Sequence, residues 1–198
     1  MNIAVFVSGN GSNLQAIIDA KKNNIITSDI KVVVSNNANA FALERAKKEG
    51  IKTVVFDGKV FHSQEEHDLS IISQLKEEGI DLVVLAGYMR ILTDLFIGAY
   101  TDKIINVHPS LLPSFKGAKA IKESFEYGVK TTGVTVHFVD KELDGGPIIL
   151  QKTLDVEDSS IEQLEERIHK IEHALLPQAI ALIEQKRISI TGRKVKII

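Results

Sequence analysis

Short apolar runs rich in β-branched residues alternate with helical patterns along the 198-residue chain. Each run has the length of a strand and is flanked by turn-forming residues, which favours a strand over a buried helix. The predicted strands lie near residues 2–7, 30–35, 52–56, 81–86, 104–107, 132–139 and 147–152. Helices are predicted near residues 12–22, 40–49, 64–78, 93–99, 117–127 and 161–184, and a terminal hairpin over 187–194. This alternation predicts an α/β fold with an open, mostly parallel twisted sheet and helices on both faces.

The composition narrows the classes of function. The 24 Lys and Arg residues nearly balance the 26 Asp and Glu residues, which argues against a nucleic-acid binder. The chain has no cysteine, which excludes disulfides, thiolate nucleophiles and cysteine-ligated metals. No apolar run approaches the roughly 18 residues of a membrane span, and the first residues lack a signal-peptide pattern. We expect a cytoplasmic monomer or homodimer with small-molecule substrates and no nucleic-acid, membrane or metal partner.

The first predicted strand leads into a loop at Ser8–Leu14 (SGNGSNL). Its two glycines let the backbone approach a ligand, and the following helix presents unpaired N–H groups with a partial positive charge. The spacing matches neither the dinucleotide glycine pattern nor a P-loop, so neither NAD nor ATP is indicated. The loop predicts a phosphate site, and the alternative is a tight turn in which Ser12 or Asn13 caps the helix.

A second motif, Leu85–Leu92 (LAGYMRIL), ends the fourth predicted strand. Gly87 permits a sharp exit from the strand. The apolar side chains that follow suit a flat aromatic ligand, and Arg90 could meet a carboxylate. Tyrosine and methionine more often belong to a core, so ordinary packing is the alternative.

The third motif combines an amide, an imidazole and a carboxylate. Asn106 and His108 lie two residues apart at a strand end, so their side chains project to the same side. Asp144 follows in a glycine-rich loop, and a carboxylate near an imidazole favours the protonated ring. Such a group can stabilise an oxyanion and move a proton, which predicts a catalytic site. The alternative is a buried histidine with a backbone partner.

The other histidines have plainer interpretations. His62 and His67 lie at the start of a surface helix, and we expect both to be solvated. His137 faces away from its apolar strand neighbours and either approaches the site or satisfies a neighbour. His169 and His173 lie four residues apart on a helix, but no third ligand is evident, so no metal is predicted.

Together these motifs resemble the folate-dependent phosphoribosylglycinamide formyltransferases of de novo purine (IMP) synthesis. The matching stretches are Ser8–Leu14, Ala86–Leu92, Asn106–Pro113 (NVHPSLLP) and Asp144–Pro147 (DGGP). The resemblance runs from residue 1 to about 185. It implies a single Rossmann-like formyltransferase domain over 1–198, with a phosphate-binding half near 1–100 and a folate and catalytic half near 101–198.

The resemblance also implies a reaction and a role for each site residue. The formyl group of 10-formyltetrahydrofolate passes to the amine of N1-(5-phospho-D-ribosyl)glycinamide, with tetrahydrofolate as the second product. Asn106, His108 and Asp144 would be catalytic. Gly11, Ser12 and Asn13 would hold the ribonucleotide phosphate, and Glu172 would meet its glycinamide end. The implied folate-binding residues are Met89, Arg90, Ile91, Leu92, Asn106, Asp140, Lys141, Glu142, Leu143 and Asp144.

Two positions depart from the family pattern. Gln64 stands where relatives often carry an arginine that meets the folate glutamate, and Lys119 stands where several have a histidine. A methionyl-tRNA formyltransferase would bring a basic C-terminal domain, and a formyltetrahydrofolate hydrolase an N-terminal regulatory domain. A sugar-nucleotide formyltransferase and a non-catalytic phosphate-binding regulator remain open alternatives.

Overall fold

The protein, studied as a computed structural model, is described at residues 1–156 and 160–198. It divides into two compact units, Met1–Ile105 and Asn106–Ile198.

The first unit is built on a parallel sheet. Its strands are β1 (Asn2–Val7), β2 (Asp29–Ser35), β3 (Lys52–Val55) and β4 (Leu82–Leu85). Its helices are α1 (Ser12–Lys22), α2 (Phe41–Lys48), α3 (Gln64–Glu77) and α4 (Asp94–Ala99), with a 3-10 turn at Gly58–Val60. The order is β3-β2-β1-β4, and all three pairings are parallel. Every residue from Ile3 to Val7 is fully buried, as expected for a strand covered on both faces.

The strand order reverses at β1. From β1 the chain moves to β2 and β3 on one side and then returns to β4 on the other side. Open α/β sheets bind ligands beyond the carboxyl ends of their strands at such a switch point. The loop that begins at Ser8, directly after β1, therefore lies where this fold offers a ligand site.

The second unit is a mixed sheet with one long helix. β5 (Ile104–His108) carries the chain into this unit. Its other elements are α5 (Ala120–Tyr127), β6 (Thr131–Phe138), β7 (Ile148–Asp155), α6 (Ile161–Glu184), β8 (Ile188–Thr191) and β9 (Lys194–Ile197). β6 and β7 are antiparallel, β9 pairs in parallel with β7, and β8 pairs antiparallel with β9. The predicted terminal hairpin is confirmed as β8 and β9.

A β-bulge interrupts the pairing of β6 with β7. Val136 lies opposite Leu150, but the register shifts before His137, which lies opposite Ile148. Bulges change the direction of the side chain that follows them, and they often occur beside active sites. Here the bulge falls one residue before a buried histidine.

The helix α6 begins at Ser160, where Ser160 and Gln163 form a complete capping box. Its buried face packs on β6 and β7 and includes the leucines Leu164 and Leu176. The same face carries Glu172, which is only 4% exposed. No helix in the described parts of the chain is long and apolar enough to cross a membrane.

Two predictions need correction. The helix expected from residue 117 begins at Ala120, because Gly117 adopts a left-handed conformation with φ +92° that an α-helix cannot contain. His67 was expected to be solvated and is 1% exposed. His67 lies on the buried face of α3, together with Ile71 and Leu75, and its ring packs edge-on against Phe61 and Phe56. His62 is exposed, as predicted.

Candidate active site

The loop after β1 ends at a glycine that no other residue could easily replace. Gly11 is the N-cap of α1 and has φ 78° and ψ 30°. A Cβ atom built there would lie 2.5 Å from the Ala42 Cβ. The N-cap is a glycine, so no side chain caps α1 from that position. The alternative in which Ser12 or Asn13 is the cap is therefore wrong. The first turn of α1 keeps the arrangement of backbone N–H groups that favours an anion.

The helix α2 holds this loop in place. The Arg45 guanidinium donates through Nε to the Asn10 carbonyl (2.9 Å), through Nη2 to Asn10 Oδ1 (3.0 Å) and through Nη1 to Gln15 Oε1 (3.2 Å). The Ala42 N–H donates to the Gly9 carbonyl at 3.1 Å. Sequence reasoning missed Arg45, because an arginine among surface charges gives no sign that its partners are backbone and amide oxygens.

The segment after β4 exposes two large apolar side chains. Met89 is 69% exposed and Ile91 is 68% exposed, whereas Leu92 is buried. The Tyr88 ring packs edge-on against Phe6 at 5.1 Å, and burial raises the pKa of its hydroxyl. The second motif is therefore mixed: Leu92 belongs to the core and the partly buried Tyr88 packs against it, while Met89 and Ile91 form an accessible apolar surface.

This segment is held from the side of α3. The Gln64 side-chain amide donates to the Ile91 carbonyl. Asp68 Oδ2 accepts from both the backbone N–H and the hydroxyl of Thr93, each at 2.8 Å, while its Oδ1 lies 3.0 Å from His67 Nδ1. The structure thus places Gln64 on the backbone of the segment, where it helps to shape the surface of Met89 and Ile91.

In the second unit, His108 and Asp144 face each other in a nearly buried setting. His108 Nδ1 lies 3.6 Å from Asp144 Oδ2, and the two side chains are 5% and 10% exposed. His108 Nε2 lies 2.8 Å from the Phe115 carbonyl oxygen and must donate to it. Both ring nitrogens therefore lie near oxygen atoms that can accept hydrogen bonds.

Asn106 joins the same group through His137. Asn106 Nδ2 lies 3.2 Å from His137 Nε2, and that nitrogen is 3.8 Å from Asp144 Oδ1. His137 Nδ1 lies 2.8 Å from the Phe138 carbonyl, so it carries the proton and Nε2 is left to accept from the amide. Burial is the main cause that lowers the pKa of His137, which agrees with this neutral ring.

The structure thus brings Asn106, His108 and Asp144 together, and it adds His137 to them. The strand pattern indicated that His137 faces away from its apolar neighbours, and it left open whether the ring approaches the site or satisfies a neighbour. Its contact with Asn106 depends on which strands lie beside β6 in the sheet, and the pattern of a single strand does not contain that information.

The loop that carries Asp144 has an unusual backbone. Asp144 has φ +48°, a left-handed conformation that is uncommon outside glycine. Its Oδ2 accepts from the Gly117 N–H at 2.8 Å. A Cβ on Gly146 would lie 1.9 Å from the Phe138 carbonyl, so this position requires glycine. The DGGP sequence therefore serves close backbone packing as well as supplying a carboxylate.

Glu172 on α6 is held by a neighbouring histidine. His169 Nδ1 lies 2.9 Å from Glu172 Oε2, and this hydrogen bond raises the pKa of His169. The rings of His169 and His173 stack at 6.3 Å, and burial lowers the pKa of His173. Within the described residues, no three His, Cys, Asp or Glu side chains are grouped so as to hold a metal ion.

Comparison with known proteins assigns the family. The family model described as formyl transferase matches residues 1–180. The chain belongs to the formyl transferase family. It is 44% identical over 189 residues to the phosphoribosylglycinamide formyltransferase of Escherichia coli K12, an alignment that covers 95% of this chain and 89% of that protein.

Other relatives of this formyl transferase agree. The Bacillus subtilis phosphoribosylglycinamide formyltransferase is 42% identical over 178 residues, covering 89% of this chain and 91% of the relative. The trifunctional purine biosynthetic protein adenosine-3 of Homo sapiens is 43% identical over 91% of this chain, which spans only 18% of that protein. The crystal structure of glycinamide ribonucleotide transformylase 1 from Symbiobacterium toebii superposes with a TM-score of 0.97 at 41% identity, covering 100% of this chain and 94% of that one. The predicted mostly parallel, open α/β fold is confirmed.

Proposed function

We propose that this enzyme transfers the formyl group of 10-formyltetrahydrofolate to the amine of N1-(5-phospho-D-ribosyl)glycinamide. The products are formylglycinamide ribonucleotide and tetrahydrofolate, in de novo purine synthesis. The observation that carries the proposal is the group of Asn106, His108 and Asp144, whose nearly buried imidazole and carboxylate lie 3.6 Å apart. Two relatives named phosphoribosylglycinamide formyltransferase, each aligned over most of its length, support the choice of substrate.

The chemistry is an acyl transfer without a covalent enzyme intermediate. The neutral amine of the glycinamide attacks the formyl carbon and gives a tetrahedral intermediate with a negative oxygen. Asn106 donates one Nδ2 hydrogen to His137 and keeps a second hydrogen that can reach that oxygen. The imidazolium of His108 supplies the second donor and a positive charge. Collapse of the intermediate breaks the bond to N10, which takes up the proton that the amine loses.

Asp144 serves this step in two ways. Its carboxylate lies beside the rings of both His108 and His137, so it can orient His108 toward the substrate, while burial lowers the pKa of His137. It also accepts the proton of the attacking amine or orders a water molecule that carries it to N10. Because both nitrogens of His108 already face acceptors, one of them must exchange its present partner for the developing oxyanion.

The substrate-binding roles follow the family resemblance. Gly11, Ser12 and Asn13 would hold the phosphate, and the segment Met89–Leu92 would bind the pterin. The loop from Asp140 to Asp144 would also bind folate, and Glu172 would meet the glycinamide. We propose that residues 1–198 act as one catalytic domain, with halves near 1–100 and 101–198, in a cytoplasmic monomer or homodimer without a metal.

The direct test is a spectrophotometric assay of the purified protein with a 10-formyl folate analogue. We expect deformylation only when glycinamide ribonucleotide is present. Turnover without the ribonucleotide would indicate a hydrolase instead. Folate binding without turnover under either condition would move the proposal to another amine acceptor, such as a sugar nucleotide.

The residue roles have their own test. Replacing His108 with Ala or Asp144 with Asn should lower kcat by about 10²–10³, the usual cost of losing an oxyanion donor. The affinity for the ribonucleotide, measured by calorimetry, should stay within a few-fold of the original because the phosphate loop is untouched. Normal turnover in either variant would rule out the mechanism.

A further inference from the structure

We propose that Arg193, in the turn between β8 and β9, is a positioning residue for the loop that carries Asp144. This inference rests on the proposed function, because it concerns the geometry of the same carboxylate. The family model ends at residue 180, before this hairpin begins. Neither the sequence motifs nor the family match gives the hairpin a role.

The first observation is the contact itself. Arg193 Nη2 donates to the carbonyl oxygen of Gly145, the residue directly after Asp144. Arg193 Nη1 lies 3.6 Å from Glu142 Oε2, in the same loop. One guanidinium therefore reaches the loop on both sides of Asp144, once through the backbone and once through a carboxylate.

The second observation is that this loop needs support. Asp144 has φ +48°, a conformation that costs a non-glycine residue of order 1–2 kcal/mol and persists only when its surroundings hold it. Within the loop, the Gly145 N–H closes a turn onto the Glu142 carbonyl at 2.9 Å, and Glu142 N–H donates to Asp140 Oδ1 at the same distance. Both of these hydrogen bonds lie within the loop, and neither joins the loop to a strand.

The third observation is a second set of contacts, which hold the loop from the side opposite Arg193. Lys116 Nζ lies 2.6 Å from Glu142 Oε1, and the neighbouring Gly117 N–H donates to Asp144 Oδ2 at 2.8 Å. Glu142 thus lies between two cations, Lys116 and Arg193, and both lower its pKa. The residues around Asp144 are held from the segment at 116–117 on one side and from the C-terminal hairpin on the other.

The position of the hairpin makes the contact specific. β9 pairs with β7 at Ile148 and Lys194, so the residue before Lys194 comes close to the residues just before β7. Gly145 and Gly146 lie in this short connection, and a Cβ on Gly145 would come within 2.5 Å of the Glu142 side chain. The backbone carbonyl of Gly145 is therefore presented by a tightly packed turn, and Arg193 is the hairpin residue that meets it.

The test compares three variants of the full chain. Arg193→Ala removes both contacts, and Arg193→Gln keeps an N–H donor for the Gly145 carbonyl but lacks the charge that meets Glu142. Lys196→Ala is the matched control, because it removes one positive charge from an exposed position further along β9. For each variant, kcat and both KM values are measured with the formyl folate and the ribonucleotide, together with the melting temperature.

We expect Arg193→Ala to lower kcat by about five-fold, the scale of one ordinary hydrogen bond, with an unchanged KM for the ribonucleotide. Arg193→Gln should recover part of this loss, and Lys196→Ala should match the original protein. Equal loss in Arg193→Ala and Lys196→Ala, or a lowered melting temperature with normal kcat, would mean that the hairpin serves stability alone and would overturn the proposal.

Hydrogen exchange separates this inference from the proposed function. In Arg193→Ala, the amides of peptides that cover residues 140–147 should exchange faster, while those of β5 should not change. This measurement needs no substrate, so it stands even if the original protein shows no transfer to glycinamide ribonucleotide. Unchanged exchange over 140–147 would refute the role of Arg193 whatever the activity.

Discussion

Replacing His137 with Phe tests the arrangement of the candidate site most directly. Phenylalanine retains a ring of similar shape but has no nitrogen. In the original protein, His137 Nδ1 donates to the Phe138 carbonyl at 2.8 Å, and Nε2 accepts from Asn106 Nδ2 at 3.2 Å. The substitution therefore leaves a buried carbonyl and a partly buried amide without these partners, and it frees the Asn106 side chain to rotate.

The size of the effect follows from those two bonds and from the pKa of His137. An unsatisfied buried polar group costs about 1–3 kcal/mol, so the free energy of unfolding should fall by about 2–4 kcal/mol near pH 7.5. Burial holds the pKa of His137 below its ordinary value of 6.5 in the folded state. The stability that the neutral ring contributes is thus complete above pH 6.5 and is lost as the pH falls toward the folded pKa.

The phenylalanine variant lacks this titration, so the free energies of unfolding of the two proteins should become more similar as the pH falls. The gap in the free energy of unfolding should shrink by up to about 1.4 kcal/mol between pH 7.5 and 5.5, the limit for one group whose unfolded pKa is about 6.5. Urea denaturation of both proteins at pH 7.5, 6.5 and 5.5 measures the gap. A gap that stays constant or widens as the pH falls would refute the neutral, hydrogen-bonded His137. In the transfer assay we also expect kcat to fall about ten-fold, because a donor that is only misplaced costs less than one removed.

Two further variants test the phosphate loop. Gly11→Ala should lower the free energy of unfolding by about 1–3 kcal/mol and raise KM for the ribonucleotide, because Gly11 has a left-handed backbone and lies close to Ala42. The control is Gly9→Ala, because a Cβ at Gly9 meets nothing within 4 Å. In the same urea titration this control should change the free energy of unfolding by less than about 1 kcal/mol. Arg45→Ala removes three hydrogen bonds and should raise the KM for the ribonucleotide about ten-fold, while kcat and the KM for folate stay nearly constant. Steady-state kinetics measures these constants, and Lys48→Ala, at an exposed position of α2, is the control. An unchanged KM for the ribonucleotide in Arg45→Ala, or an equal rise in Lys48→Ala, would contradict the positioning of the loop by Arg45.

Much of the fold follows from local sequence pattern. Continuous apolar runs such as residues 3–7 form strands buried on both faces, because only a covered parallel sheet accommodates side chains of this kind on both sides. Capping is local as well: Ser160 and Gln163 satisfy each other within one turn, so their spacing alone predicts the start of α6. Asn106 and His108 could be paired from sequence because they share one side of one strand.

What the sequence determined by itself was the order of elements, the loop at Gly11 and the chemical identity of the candidate catalytic group, since each depends on residues close together along the chain. The tertiary structure alone decided which distant groups meet. It placed His137 beside Asn106 because β5 and β6 are neighbours in the sheet, and it turned His67 inward. It also brought Arg193 to the loop of Asp144 through the pairing of β9 with β7. The physical reason is that hydrogen-bond partners depend on strand register and packing, which local periodicity does not record.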